Sequence, residues 1–140
     1  FRHRFGGRDT LVFPNAPPQY SSFNSDVWRK VEEVEFRLSR AKKTLALTGV
    51  SYEEDPNKNP KLNGKIPIPK TFYKVLYFPR DGKILCFEMD NRDYPADFSV
   101  KSENCRVRCR DLEERTGITF FPDQHQRRKR EYPSIDLLLL

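Results

Sequence analysis

Residues Asp9 to Glu32 read DTLVFPNAPPQYSSFNSDVWRKVE, and the fold turns on how they divide. Thr10 to Phe13 is a short β-type run. Pro14, Pro17 and Pro18 end it, because proline offers no N–H to a ladder. Ser21, Ser22, Asn24 and Ser25 are residues that cap helix N-termini, and Asp26 places negative charge in a first turn. From there Trp28, Val31, Val34 or Glu35, Leu38 and Ala41 recur at steps of three and four. That spacing predicts one amphipathic helix over about 25–41. Arg40, Lys42 and Lys43 suit its C-terminal end, where cations are favoured.

Working outward, Thr44 to Val50 is apolar and β-branched and reads as a strand, and 52–66, rich in charge, Asn, Gly and Pro, as a loop. Phe72 to Phe78 and Lys83 to Met89 flank Pro79-Arg80-Asp81-Gly82, a turn with Asp-Gly at its centre, so 72–89 is a hairpin. A polar loop follows over 90–104, then a short strand over Cys105 to Val107. Cys109 to Thr116 is a short helix closed by Gly117. The class is α+β: a mostly antiparallel sheet with one long helix and no internal repeat. The domain reading is a basic arm over 1–8, one domain over 9–122 and a basic tail over 123–140, in which Arg127 to Arg130 is a solvated run.

The chain has 140 residues, enough for one core. Apolar residues are 36% of it, below the roughly 45–50% of an average domain. The core is therefore thin, or is completed by a partner or a missing segment. Eleven Phe, six Tyr and one Trp argue against wholesale disorder. No apolar run approaches the roughly 18 residues of a membrane-spanning helix. The net charge of +6 permits a polyanionic partner. Two histidines, His3 and His125, exclude a multi-His metal site. Three cysteines, an odd number, point to buried thiols or a reducing compartment rather than a disulfide scaffold. Cys105 and Cys109, four apart, lack the further ligands of a zinc site. The opening residues are Arg-rich and lack the apolar stretch of a signal peptide. A first residue Phe1 and a last run of four leucines suggest a processed product or an excerpt of a longer chain.

By residue type alone, Asn24 is a helix cap, Glu32 a surface carboxylate, Trp28 core and Asn15 a turn residue. The order of motifs adds another reading. Thr10, Asn15, Pro18, Gln19, Asn24, Trp28 and Glu32, followed by Thr48-Gly49, Ile68-Pro69, Phe72-Tyr73-Lys74-Val75, Leu112-Glu113, Thr116-Gly117 and Phe120-Phe121-Pro122, resemble the DNA/RNA non-specific endonucleases of ββα-metal fold, close to the endonuclease G type. The resemblance covers about residues 9–122. It implies an incomplete ββα-metal nuclease-like fold and a hydrolase that cuts phosphodiester bonds to leave 5′-phosphate ends. It implies one Mg²⁺ (or Mn²⁺ in its place) held by Asn24 and otherwise by water, as suits a small cation that dehydrates reluctantly. Glu32 then holds metal-bound water, Asn15 and Gln19 brace the site, and Trp28 and Arg37 support it. The partners implied are DNA and RNA, bound without sequence preference through Lys and Arg contacts to phosphates, with a homodimer or a separate upstream segment completing the molecule. Mitochondrial residence is implied by the likeness to endonuclease G.

The sequence departs from the family in three places. The Asp-Arg-Gly-His motif that carries the general base is absent, and His3 lies too close to Asn15 to replace it. Phe36 stands where the family has an Arg, twelve residues after the metal-binding Asn. Pro14 replaces a Ser. These departures leave two readings: the C-terminal portion of a nuclease, or a nuclease fold kept for binding or assembly. A third, a basic nucleic-acid-binding domain unrelated to nucleases, requires aromatics on an exposed sheet face, whereas the hairpin reads as buried. For the isolated chain, exposed apolar surface is expected along 10–13 and around Trp28.

Overall fold

The computed structural model describes residues 17–98, 102–123 and 126–138. The expected arm, the run Thr10–Phe13, Asn15, His3 and His125 lie outside them. In chain order the helices are Arg29–Ala41 (α1), Cys109–Thr116 (α2), Gln126–Lys129 (α3) and Ile135–Leu138 (α4). The strands are Leu45–Ser51 (β1), Lys61–Leu62 (β2), Ile66–Pro67 (β3), Thr71–Phe78 (β4), Lys83–Asp90 (β5) and Arg106–Val107 (β6). The α+β reading holds: β1, β4, β5 and β6 form an antiparallel sheet in that order. The expected loop over 52–66 is less plain than predicted. It holds the small β2–β3 ladder and a turn of 3₁₀ helix at Pro56–Lys58, whose Asp55 carboxylate accepts from Asn57 N at 3.0 Å.

The hairpin β4–β5 is the centre of the sheet and is covered on both faces. Seven of the eight β4 residues are buried. Alternation sends Phe72, Leu76 and Phe78, with Leu85 and Phe87 of β5, to one face, where α1 lies with Val31, Val34 and Leu38. It sends Tyr73 and Val75, with Ile84 and Cys86, to the other, where Leu112 of α2 and Phe120 close a second cluster. A strand buried on both sides reads as a near-continuous apolar run, as 72–78 does. The C-terminal residues join this core rather than trailing from it. Ile135 and Leu138 sit in the α1-side cluster. Lys129 is fully buried and its Nζ lies 2.6 Å from Glu113 Oε1. The solvated run expected over 127–130 is thus corrected at Lys129, whose ammonium reaches a carboxylate that the sequence places sixteen residues away.

The thiol reading is also corrected. Cys86 of β5 and Cys109 at the start of α2 form a disulfide, with Cα atoms 5.4 Å apart, and Cys105 is free and buried. Residues 105 and 109 fall on different clusters, so their spacing of four misled; the partner of Cys109 is on the strand beneath α2. Gly49 of β1 has a steric reason. It pairs with Tyr73, and a Cβ there would lie 2.5 Å from Tyr73 Cε2, inside any carbon–carbon contact. At Gly117 a left-handed φ of 69° ends α2 as expected.

Two outcomes check this packing. Gly49→Ala is expected to destabilise the fold by about 1–3 kcal/mol, the usual range for overpacking, and Tyr73→Val in the same chain should recover much of that loss in urea unfolding. Peptide mapping without reductant should find Cys86 joined to Cys109, and reduction should lower stability by about 3 kcal/mol for a loop of this length.

Candidate functional site

The segment singled out by the sequence is a continuous helix from Ser21 to Ala41, and its beginning is unusual. Phe23–Trp28 is a π turn running into α1. Asn24 is therefore inside the first turn, its N–H donating to Tyr20 O at 2.9 Å, and not at the cap as expected. Its side chain is exposed. Eight α-helical residues overshoot two full turns by about 80°. A π turn closes its hydrogen bonds one residue later, so it takes back part of that overshoot and brings Glu32 closer to the line of Asn24. Such insertions recur at functional sites.

Trp28 lies between the two and roots this face. It is fully buried, stacked on Phe23 with centroids 5.6 Å apart and tilted against Phe72 at 5.9 Å. The expectation of exposed apolar surface around Trp28 fails. The indole is part of the cluster that Phe23, Phe72, Phe87 and Tyr94 form with α1 and the C-terminal Ile135 and Leu138. Exposed large apolar side chains sit elsewhere, among them Leu45 and Leu47 of β1 and Phe36. Trp28 Nε1 is buried without a hydrogen-bond partner among the described residues.

Three residues fix this helix, and none was singled out in the sequence as a site residue. Lys74 stands on the α1 face of β4, in the middle of the apolar row. It is 4% exposed, pairs with Glu35 of α1, and holds its ammonium 5.9 Å from the centre of the Trp28 ring. A buried ammonium needs such partners, because desolvation without them is prohibitive. Asn91, buried just past β5, ties the entry to the helix. Its Oδ1 accepts from Tyr20 N at 3.1 Å, and its Nδ2 donates to Pro18 O at 3.0 Å and Pro69 O at 2.9 Å. Tyr94 closes the same corner, donating from its phenol to Asp90 O at 2.9 Å. Burial raises the pKa of that phenol, although the Arg92 guanidinium over its ring acts the other way. A lone Asn in a polar loop and a Lys in an apolar strand carry no periodic signal; the alternation that places Lys74 inward was the one available clue.

The other expected residues are placed as follows. Glu32 is half-buried, with no hydrogen bond or ion pair among the described residues. Gln19 is half-buried, five residues before Asn24. Arg37 is exposed. Phe36, at the position where an Arg was expected, is 61% exposed, and the Arg40 guanidinium covers its ring at 5.5 Å. Asn24, Trp28 and Glu32 thus share one helix, with Gln19 leading into it. A cleft of about 980 Å³ lies elsewhere, at the ends of β1, β4 and β5 among Glu53, Lys70, Glu88, Asp90, Arg92 and Arg115. Neither Asn24 nor Glu32 lines it. It is a mixed-charge hollow in which Glu88 is already paired with Arg115 and Lys70 with Glu53.

Comparison with known proteins bears on this arrangement. A family model described as DNA/RNA non-specific endonuclease matches residues 3–127. A nuclease of Serratia marcescens is 30% identical over 131 residues, covering 86% of this chain and 48% of that protein. Among solved structures, the complex of EndoG with EndoGI, determined for the mechanism of EndoG inhibition, matches with a TM-score of 0.66 and 26% identity, over 85% of this chain and 53% of that one. The chain spans about half the length of both.

Lys74→Met is expected to destabilise the protein toward the low end of the roughly 3–5 kcal/mol that follows when one member of a buried pair is removed, since Glu35 keeps some access to water. Lys74→Met with Glu35→Leu should be closer to the parent than either change alone, which a double-mutant cycle by urea unfolding reads directly.

Proposed function

The chain belongs to the DNA/RNA non-specific endonuclease family, and on that premise we propose that it carries the metal-binding helix of a Mg²⁺-dependent endonuclease hydrolysing phosphodiester bonds in DNA and RNA. The observation that supports this most is the pair on the helix: an exposed amide at Asn24 and, two turns on, a half-buried carboxylate at Glu32 without a partner among the described residues. No protein cation or donor among the described residues competes for that carboxylate, so it is free to accept from water. The described residues hold no group of three or more His, Cys, Asp or Glu that could grip an ion directly. The donor set therefore suits a cation that keeps most of its water, as Mg²⁺ does.

Eight residues rise about 12 Å along an α-helical axis, too far for the amide and the carboxylate to meet at one ion directly. Asn24 would bind through its amide oxygen, and Glu32 would accept hydrogen bonds from water between them. Bound there, Mg²⁺ would supply Lewis-acid stabilisation of the phosphate and of the departing oxygen. Trp28 and the Lys74–Glu35 pair hold the helix so that both groups keep their places, a positioning that such catalysis depends on. The attacking water requires a base, and the family's Asp-Arg-Gly-His motif is not in this sequence.

A second reading, a nuclease fold kept for binding or assembly, is favoured by Phe36 in place of the family's Arg. Plasmid nicking separates the two. It is run with Mg²⁺ and with EDTA, on this chain alone and with a polypeptide carrying the Asp-Arg-Gly-His motif supplied. Expected is Mg²⁺-dependent nicking in at least the second arm, lowered about a hundredfold or more by Asn24→Ala and by Glu32→Gln, with thermal stability unchanged. Calorimetric binding of Mg²⁺ should be lost in Asn24→Ala. No Mg²⁺-dependent nicking in either arm overturns the enzyme reading and leaves the second.

A further inference from the structure

Among the described residues, two guanidinium groups converge on one exposed ring at a single place, the edge of the sheet along β6. Tyr132 is 47% exposed. Arg108, the residue before α2, has its guanidinium carbon 5.0 Å from the ring centre, and Arg106 of β6 lies at 5.9 Å. Arg106 Nη1 also donates to Pro133 O at 3.0 Å. The ring does not ride on a loose tail. On one side Lys129 is buried against Glu113, and on the other Ile135 and Leu138 are buried in the core. Neither Arg106 nor Arg108 has a carboxylate partner among the described residues. Glu131, the acid next to Tyr132 in sequence, is already shared by Lys83 at 3.4 Å and Arg128 at 3.9 Å. Arg130, exposed two residues from Tyr132, adds to the unneutralised positive charge.

An exposed aromatic on an ordered backbone, flanked by arginines that no carboxylate neutralises, matches what an unpaired base and its phosphates require. A base stacks on the part of the ring left exposed or on the guanidinium planes beside it, with the sequence tolerance that every base face allows, and the outward N–H groups meet phosphate oxygens. A duplex hides its base faces, so charge alone would hold it. We infer that Arg106, Arg108 and Tyr132 form an accessory site for single-stranded nucleic acid, distinct from the helix residues Asn24 and Glu32. Its role in holding substrate rests on the nuclease reading above; the binding itself does not.

The test is fluorescence anisotropy of a labelled 12-nucleotide oligothymidylate in EDTA, so that nothing is cut, against a duplex of the same length. The expected results are tighter binding of the single strand, a loss of about tenfold in Tyr132→Ala, and near-parent binding in Tyr132→Phe. Arg108→Gln should lower the slope of log affinity against log salt by about 0.7, the contribution of one phosphate contact on a single strand. Parent-like affinity in Tyr132→Ala, or equal affinity for single strand and duplex, overturns the proposal. So does an affinity for phosphatidylserine vesicles that depends on Tyr132 while that for the oligonucleotide does not. Circular dichroism and melting of each variant confirm that the fold is kept. Strand binding without nicking would sink the nuclease reading and spare this one; nicking without Tyr132-dependent binding would do the reverse.

Discussion

One ammonium group constrains most of this molecule. Lys74 lies in a strand covered on both faces, so its charge has no path to bulk water along the sheet. It is tolerated because Glu35 reaches down from α1 to meet it and because the Trp28 ring offers its negative face. These contacts set the rotation of the helix about its own axis. With Glu35 turned inward, Glu32, three residues earlier and about 60° round, lies at the rim, half-buried. Asn24 lies at the start of the same rim, exposed. The placing of both groups on the rim therefore depends on a residue of the neighbouring strand.

The entry to the helix is held with similar economy. Asn91 uses both ends of its amide to join three backbone groups from two distant stretches, at Pro18, Tyr20 and Pro69. Ser22 Oγ accepts from Tyr94 N at 2.9 Å, so the loop after β5 and the first turn of the helix are one unit. The π turn lies between this anchor and Trp28. Fixed at both ends, it is the part of the helix whose winding adjusts the direction of Asn24 relative to Glu32.

What was legible in the sequence was local. The hairpin over 72–89, the helix beneath the Trp28–Leu38 stripe and α2 with its Gly117 stop are all written in residues a few positions apart. The motif order also carried the family. Long-range pairings were not legible. Cys86 and Cys109 are 23 residues apart, and nothing in their spacing excludes Cys105. Lys129 looks like one more cation in a basic run until Glu113 is placed beside it. The π turn has no signature in residue type, because it answers to packing of Phe23, Val27 and Trp28 into the core rather than to local propensity. Of the site residues, Trp28 and Glu32 were placed on the helix correctly, whereas Asn24, expected at its cap, lies inside its first turn. Lys74 and Asn91, which hold that helix, went unmarked as site residues because a single buried polar group is defined only by its partners.

The apolar content, 36% of the chain, suggested a core left open at the helix. The structure divides that content differently. Two small clusters close the two faces of one sheet, and covalent and ionic ties supplement them: the disulfide joins β5 to α2, and the Lys129–Glu113 pair fastens the C-terminal segment to α2. Small cores gain most from such ties. The apolar surface that stays exposed lies on β1, where Leu45 and Leu47 flank an edge that pairs only with β4 among the described strands. This has a consequence for the chemistry. Because the inner face of the helix is already filled by Phe72, Leu76, Leu85 and Phe87, the base that the proposed hydrolysis calls for cannot enter through the core. It must approach over the rim, from the side where the amide and the unpaired carboxylate are open to solvent.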